Sequence, residues 1–218
     1  IVGNRKKLPN PHGIIVGFSG TGKSMLIKLT EVAQTLLATD DDIMIIDPQN
    51  EFQDIIEEYN GSYFDLTPKS GIFLNGFEVS DEVFSSPTAV KRRFVAAQTE
   101  YAKTLCAAAM KNINVTQEHD SVISRCTERM FEKVFQQKKL KKQPTLLWLR
   151  DEIYQELQNV DNEHDAKLIR VIYNSLEEYT VGSCDMLAHA SNVSLNRRMI
   201  GFGMSNVPEN NWEAVMVT

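Results

Sequence analysis

The sequence predicts an α/β fold in which a parallel sheet is interrupted by a block of helices. A glycine-rich loop near the start of the chain stands between a short apolar run and a segment with helical spacing. Apolar runs at residues 42–46 and 62–66 then alternate with a helical pattern, which is typical of a parallel sheet. Residues 80–180 carry apolar stripes at helical spacing and predict an all-helical unit.

The composition is that of a globular protein. The chain has 218 residues, of which 42% are hydrophobic and 24% are charged. No apolar run is long enough to cross a bilayer and no signal peptide opens the chain, so we expect any membrane attachment to be peripheral or to lie outside this stretch. The net charge of −6 argues against a large basic face for duplex DNA, although a local strip or a pore formed on assembly stays open.

Cysteine and histidine usage predicts neither a zinc site nor a disulfide framework. The three cysteines form no CxxC motif, which fits a reducing compartment, and the four histidines show no metal-ligand spacing. Because the chain begins at Ile1 and reaches Thr218 within a predicted helix, we expect it to be a fragment.

The most specific motif is GFSGTGKS at residues 17–24, which fits the phosphate-loop pattern G-x-x-x-x-G-K-[ST]. GIIV before it predicts a strand, and the apolar spacing after it predicts a helix. We expect Lys23 to reach the β- and γ-phosphates of ATP and to support catalysis, and the Ser24 hydroxyl to take one Mg²⁺ position. Curled backbone N–H groups and the helix N-terminus would hold the phosphates. The predicted nucleotide-binding residues are Gly17, Ser19, Gly20, Thr21, Gly22, Lys23 and Ser24.

A second candidate site is MIIDPQNEF at residues 44–52. The apolar run predicts a buried strand that ends at Asp47, and Pro48 cannot continue its ladder. We expect Glu51 in the first turn of the next helix. An acid at a strand end can hold magnesium and a nearby glutamate can activate water, so Asp47 and Glu51 are candidate catalytic residues. The alternative is that Asp47 merely ends a strand and Glu51 complements a helix dipole.

Together these motifs resemble the HerA–FtsK group of motors, in which a phosphate loop is followed by a strand ending in D-P-x-x-E. The continuation SYFDLTPKSGIFLNGFEV is most similar to the VirB-type ATPases of conjugation and type IV secretion. Gly76 departs from that family, which usually has proline between asparagine and phenylalanine. The segment from LEEYTVG to VPEN resembles the family's return from a helical insertion to the sheet.

This resemblance implies a RecA-like P-loop NTPase core with an inserted all-α subdomain. The first part of the core would span residues 1–79, the insertion residues 80–180 and the return residues 181–218. The family's own Asp-Glu pair lies on a later strand, and we expect it and the arginine finger to lie outside this chain. Asp47 and Glu51 would then have a supporting role, and residues 1–218 alone would hydrolyse ATP weakly or not at all.

The function implied by the resemblance is an ATP-hydrolysing motor for conjugative DNA transfer or type IV secretion. It would be cytoplasmic, peripheral at the inner face of the membrane, and a hexamer or dimer working with other channel subunits. Contact with nucleic acid would be indirect. Two alternatives stay open: a HerA–FtsK-type DNA-pumping ATPase, and an ATP-binding structural subunit of a secretion channel with little turnover.

Three further segments carry charges whose roles are open. LLWLRDEIY predicts an amphipathic helix with Asp151 and Glu152 facing solvent. The basic run KKLKK at residues 138–142 is either a solvated helix end or a nucleic-acid contact. Arg197 and Arg198 either lie exposed at the entry to a strand or reach a neighbouring subunit's γ-phosphate.

Overall fold

A computed structural model describes residues 12–217, and within them the chain forms a three-stranded parallel sheet. The strands are β1 (Ile43–Asp47), β2 (Ser62–Asp65) and β3 (Met199–Gly203). This confirms the predicted α/β class and all three of these strands. Residues 1–11 of the predicted first unit, and Thr218, lie outside the described residues.

The last strand lies in the middle of the sheet. The strand order in the sheet is β1-β3-β2, so β3 separates two strands that are consecutive in the sequence. Asp47 at the end of β1 and Asp65 at the end of β2 both pair in register with Gly203 at the end of β3. The carboxyl ends of the three strands therefore meet at one level, which we call the carboxyl edge.

One face of the sheet is covered by the helices that follow the phosphate loop and β1. The first of these consists of α1 (Lys23–Ile27), a π-helical turn (Lys28–Val32) and α2 (Ala33–Ala38), and the second is α3 (Gln53–Glu58). Their contact with the sheet forms a small core centred on Val32, Ile56 and Met199.

The other face packs against a block of helices. It consists of α4 (Asp81–Ser85), α5 (Thr88–Met110), α6 (Gln117–Phe135), α7 (Leu146–Gln158), α8 (Glu163–Ser175) and α9 (Glu177–Thr180). Local capping begins several of them; for example, the Thr145 side chain accepts the Trp148 N–H at the start of α7. The strand β3 is followed by α10 (Trp212–Val217). A single hydrophobic core joins the block to Leu66, Met204 and Val215 beside the sheet.

The segment GIIV at residues 13–16 does not form the predicted strand. Ile14 and Val16 are 90% and 87% exposed. A strand requires a hydrogen-bonded neighbour, and the described strands pair only with one another. The prediction was wrong because an apolar, β-branched composition favours a strand but supplies no hydrogen-bonding partner.

Arg198 ties β3 to the helix that follows the phosphate loop. Its guanidinium donates to the carbonyl oxygens of Leu36 at 3.0 Å, Thr35 at 3.2 Å and Asp41 at 3.2 Å, and also to that of Thr39. These carbonyls lie in the last turn of α2 and just beyond it, where most carbonyl groups lack an intrahelical donor. Arg198 therefore caps a helix within its own chain, contrary to the alternative that it reaches a neighbouring subunit.

Helix α7 forms as predicted, but only one of its two adjacent acids faces solvent. Asp151 is exposed, whereas the Glu152 side chain is only 4% exposed. The Glu152 carboxylate accepts two hydrogen bonds from Lys133 at 2.6 and 2.7 Å and one from Trp148 Nε1 at 3.1 Å. Arg129 Nε lies 3.2 Å from Glu152 Oε2. The prediction for Glu152 was wrong because its main partners lie on α6, which the pattern of α7 does not reveal.

None of the helices between residues 12 and 217 is both long enough and apolar enough to cross a bilayer.

The buried carboxylate of Glu152 is expected to contribute to the stability of the helical block. Glu152→Gln should lower the free energy of unfolding by about 1–3 kcal/mol, because charge-assisted hydrogen bonds from α6 are lost. The matched control is Asp151→Asn on the same helix, which should change it by less than about 0.5 kcal/mol. Urea unfolding followed by circular dichroism measures both; equal effects would show that the ion pairs add no stability.

Candidate nucleotide site

The glycine-rich loop at residues 17–24 has backbone geometry that favours glycine at two positions. Gly20 and Gly22 have φ values of 78° and 83°, in the left-handed region. A Cβ on either would meet no atom within 4 Å, so conformation rather than space selects glycine there. At Gly17 the reason is space, because a Cβ would lie 2.9 Å from Thr21 Oγ1. Ser19 is exposed in the turn between Gly17 and Gly20.

Two side chains close this loop on one carbonyl group. Thr21 Oγ1 and Lys23 Nζ each donate to the Phe18 carbonyl oxygen at 2.7 Å. The N–H groups of the first helical turn have no acceptor within the helix, and the first amide that bonds back is that of Leu26, to Gly22 at 2.9 Å. Within residues 12–217 the loop therefore places a lysine, and backbone N–H groups that have no acceptor in the helix, around one concave surface, which suits a polyanionic ligand.

The structure brings Ser24 and Glu51 together across the sheet's carboxyl edge. Ser24 Oγ donates a hydrogen bond to Glu51 Oε2. Glu51 is not in the first turn of α3 as predicted; that helix begins at Gln53 with Phe52 as its N-cap. Glu51 instead lies in the loop between β1 and α3, and its side chain is exposed.

Asp47 determines the shape of that loop. It is 2% exposed, and its carboxylate accepts the N–H of Glu51 at 3.0 Å, the N–H of Phe52 at 2.8 Å and the hydroxyl of Tyr63 at 3.1 Å. Burial, followed by the charge of Asp47 and their hydrogen bond, raises the pKa of Tyr63, so the phenol remains a donor. Among residues 12–217 the side-chain bonds of Asp47 go to its own loop and to β2, while Glu51 bonds to the phosphate loop.

Tyr63 reaches Asp47 by crossing over β3, and two glycines make that crossing possible. A Cβ on Gly201 would lie 2.7 Å from the Tyr63 ring, and one on Gly203 would lie 2.9 Å from it and 2.7 Å from Asn50 Oδ1. Sequence reasoning missed this contribution of β3 to the site. The alternation of glycine in MIGFGM was the available signal, because glycine within a strand often marks a close approach by another group.

The residues at this edge fit a magnesium–nucleotide complex. Among residues 12–217 no group of three histidine, cysteine or acidic side chains is placed to hold a metal by itself. Mg²⁺ is commonly bound by few protein oxygens together with substrate phosphates, and Ser24 and Glu51 supply oxygens beside the phosphate loop. Because Ser24 donates its hydrogen to Glu51, its oxygen lone pairs remain available to a metal.

Comparisons with known proteins identify a family and a similar fold. The family described as TraG P-loop domain matches residues 3–218, which confirms the resemblance that the motifs predict. Among curated proteins there is no significant match. The solved structure of VirB4 of Thermoanaerobacter pseudethanolicus has a similar fold, with a TM-score of 0.65 and 16% sequence identity. The similarity covers 92% of this chain and 51% of that one, so the chain spans about half the length of this relative.

The crossing of Tyr63 over β3 gives a prediction for Gly203. Gly203→Ala should lower the free energy of unfolding by about 1–3 kcal/mol, because the added methyl group displaces the Tyr63 hydroxyl and Asn50. Tyr63→Phe alone removes one hydrogen bond and should cost about 0.5–1.5 kcal/mol.

The double variant separates this crowding from a general effect of the added methyl group. Removing the Tyr63 hydroxyl frees space beside residue 203, so the double variant should be destabilised by less than the sum of the two single variants. Denaturant unfolding of the four proteins measures the difference. Strictly additive losses would show that Gly203 is not required by Tyr63.

Proposed function

We propose, because this chain belongs to the TraG P-loop domain family, that it is part of an ATPase motor for conjugative DNA transfer or type IV secretion. The observation that carries the proposal is the hydrogen bond between Ser24 and Glu51. It joins the phosphate loop to an acidic loop at the carboxyl edge of a parallel sheet, where α/β proteins bind their ligands.

Within this proposal the phosphate loop binds the nucleotide. Lys23 exchanges the Phe18 carbonyl for the β- and γ-phosphates, and the backbone N–H groups around Gly20 and Gly22 bind phosphate oxygens. Ser24 offers its hydroxyl oxygen to Mg²⁺. The metal would supply charge neutralisation at the phosphates.

The acidic loop has a supporting role in the same proposal. Glu51 accepts the Ser24 hydrogen and so orients the hydroxyl lone pairs, while Asp47 holds the backbone that carries Glu51. The reaction is in-line attack of water on the γ-phosphate, for which the chain contributes positioning and charge stabilisation.

We propose further that the motor is cytoplasmic, lies at the inner face of the membrane and works as a homo-oligomer with other channel subunits. Support for the oligomer comes from an apolar surface beside the phosphate loop, where Val16, Met25 and Leu26 line one concavity and are 87%, 60% and 48% exposed. Clustered exposed apolar side chains favour contact with another protein surface.

The assignment of the phosphate loop is tested by Lys23→Ala in the full-length protein. ATP affinity should fall about 100-fold or more, because charge-assisted hydrogen bonds to phosphate are lost. Isothermal calorimetry measures the affinity, and circular dichroism checks the fold. Lys139→Ala, which removes the same charge from an exposed site, should bind ATP like the wild type. Unchanged affinity in Lys23→Ala would remove the assignment.

The oligomer is tested by sedimentation velocity of the full-length protein with a non-hydrolysable ATP analogue. We expect a dimer or a hexamer whose population rises with the analogue, because ligand that binds the assembled state shifts the equilibrium by mass action. Lys23→Ala should lose this response. A monomer at every protein and nucleotide concentration would contradict the proposal.

A further inference from the structure

The phosphate-loop helix contacts Glu51 at two points that are one helical turn apart. Ser24 donates to its side chain, and Lys28 Nζ donates to its main-chain carbonyl oxygen. Residues four apart lie on the same face of a helix, so both side chains are directed to the same loop. The ammonium group of Lys28 also lies 5.3 Å from the centre of the Phe52 ring, a cation–π contact with the next residue.

Lys28 completes the restraint on the backbone of Glu51. The N–H of Glu51 donates to Asp47 Oδ1 at 3.0 Å, and its carbonyl group accepts from Lys28. Both main-chain polar groups of this residue are thereby fixed, one from the sheet and one from the phosphate-loop helix. Because the main chain is already fixed, only side-chain freedom must be lost when the Glu51 carboxylate binds Ser24.

The helix changes character at Lys28. The π-helical turn begins at this residue, and its N–H is directed to the carbonyl groups of both Ser24 and Met25. Single π-helical turns inside α-helices occur frequently at functional sites. At the far end of this turn Val32 is 3% exposed and packs in the small core against the sheet. The turn therefore places Val32 in the core and Lys28 against the acidic loop.

We propose that Lys28 is a positioning residue of the nucleotide site. It fixes the backbone of Glu51, so that the Glu51 carboxylate holds the Ser24 hydroxyl in the orientation required by a divalent metal bound with nucleotide. This inference rests on the proposed nucleotide function. It is distinct from a direct role in binding phosphate, because Lys28 acts on the main chain of the acidic loop.

The two roles differ in their dependence on metal. A lysine that acts through Glu51 and Ser24 contributes only when Mg²⁺ is bound with the nucleotide. A lysine that attracts phosphate contributes equally without metal. Nucleotide affinity in Mg²⁺ compared with affinity in EDTA therefore separates them.

The experiment measures binding of a non-hydrolysable ATP analogue to the full-length protein by calorimetry, in Mg²⁺ and in EDTA. Lys28→Met keeps the apolar stem over Phe52. It should lower affinity about 10-fold in Mg²⁺, because a single charged hydrogen bond is lost, but less than about 2-fold in EDTA. Lys28→Arg retains a donor and should preserve most of the affinity. The control Lys91→Met removes another lysine that lies over aromatic rings, at 5.4 and 5.0 Å in the helical block, and should bind normally.

A double-mutant cycle with Glu51→Gln tests whether Lys28 acts through Glu51. In Mg²⁺ the double variant should bind no more weakly than the weaker single variant, because both changes disrupt one interaction. Additive losses, equal losses in Mg²⁺ and EDTA, or a Lys28→Arg variant as weak as Lys28→Met would each overturn the inference. A wild-type protein that binds the analogue in neither condition would overturn the proposed function as well, whereas normal wild-type binding with unaffected Lys28→Met overturns this inference alone.

Discussion

The arrangement of the nucleotide site depends on one buried carboxylate, that of Asp47. A charge removed from water is costly unless hydrogen bonds compensate it, and here three donors do so. Two of them are the main-chain N–H groups of Glu51 and Phe52, in the loop that Asp47 itself begins. Satisfying the charge therefore requires a tight loop, in which Asn50 takes a left-handed φ of 55°. The placement of Glu51 beside Ser24 follows from this folding requirement.

Strand β3 links Asp47 to the hydrophobic core of the helical block. Its glycines admit the Tyr63 hydroxyl that supplies the third donor, and the main-chain N–H of Met204 donates to the Asp47 carbonyl at 2.9 Å. The Met204 side chain belongs to the hydrophobic core of the helical block. A displacement of the acidic loop consequently meets resistance from a strand anchored in that core. The nucleotide site is thus assembled from segments that precede and follow the helical block.

Features that depend on local chemistry could be predicted from the sequence, and features that depend on distant partners could not. The left-handed glycines of the phosphate loop, the three strands and the long helices each follow from residue types within a short window. Burial of Glu152 depends on Lys133 of another helix, and the capping role of Arg198 depends on carbonyl groups more than 150 positions earlier. The position of β3 between β1 and β2 likewise cannot be predicted from the local sequence pattern. The proximity of Asp47 and Glu51 to the nucleotide site was expected, but not the different environments of the two carboxylates.

Those environments leave the two acids of one D-P-x-x-E motif with different capacities to bind further groups. A carboxylate offers about four acceptor positions. Asp47 uses three of them on protein donors and is buried, so it has little capacity left for a ligand. Glu51 is exposed and accepts one side-chain hydrogen bond, from Ser24, so it retains acceptor positions that a water molecule or a cation could use. The capacity of each acid to bind further groups is therefore set by what its neighbours leave unused, and in this loop the buried acid holds the backbone that carries the exposed one.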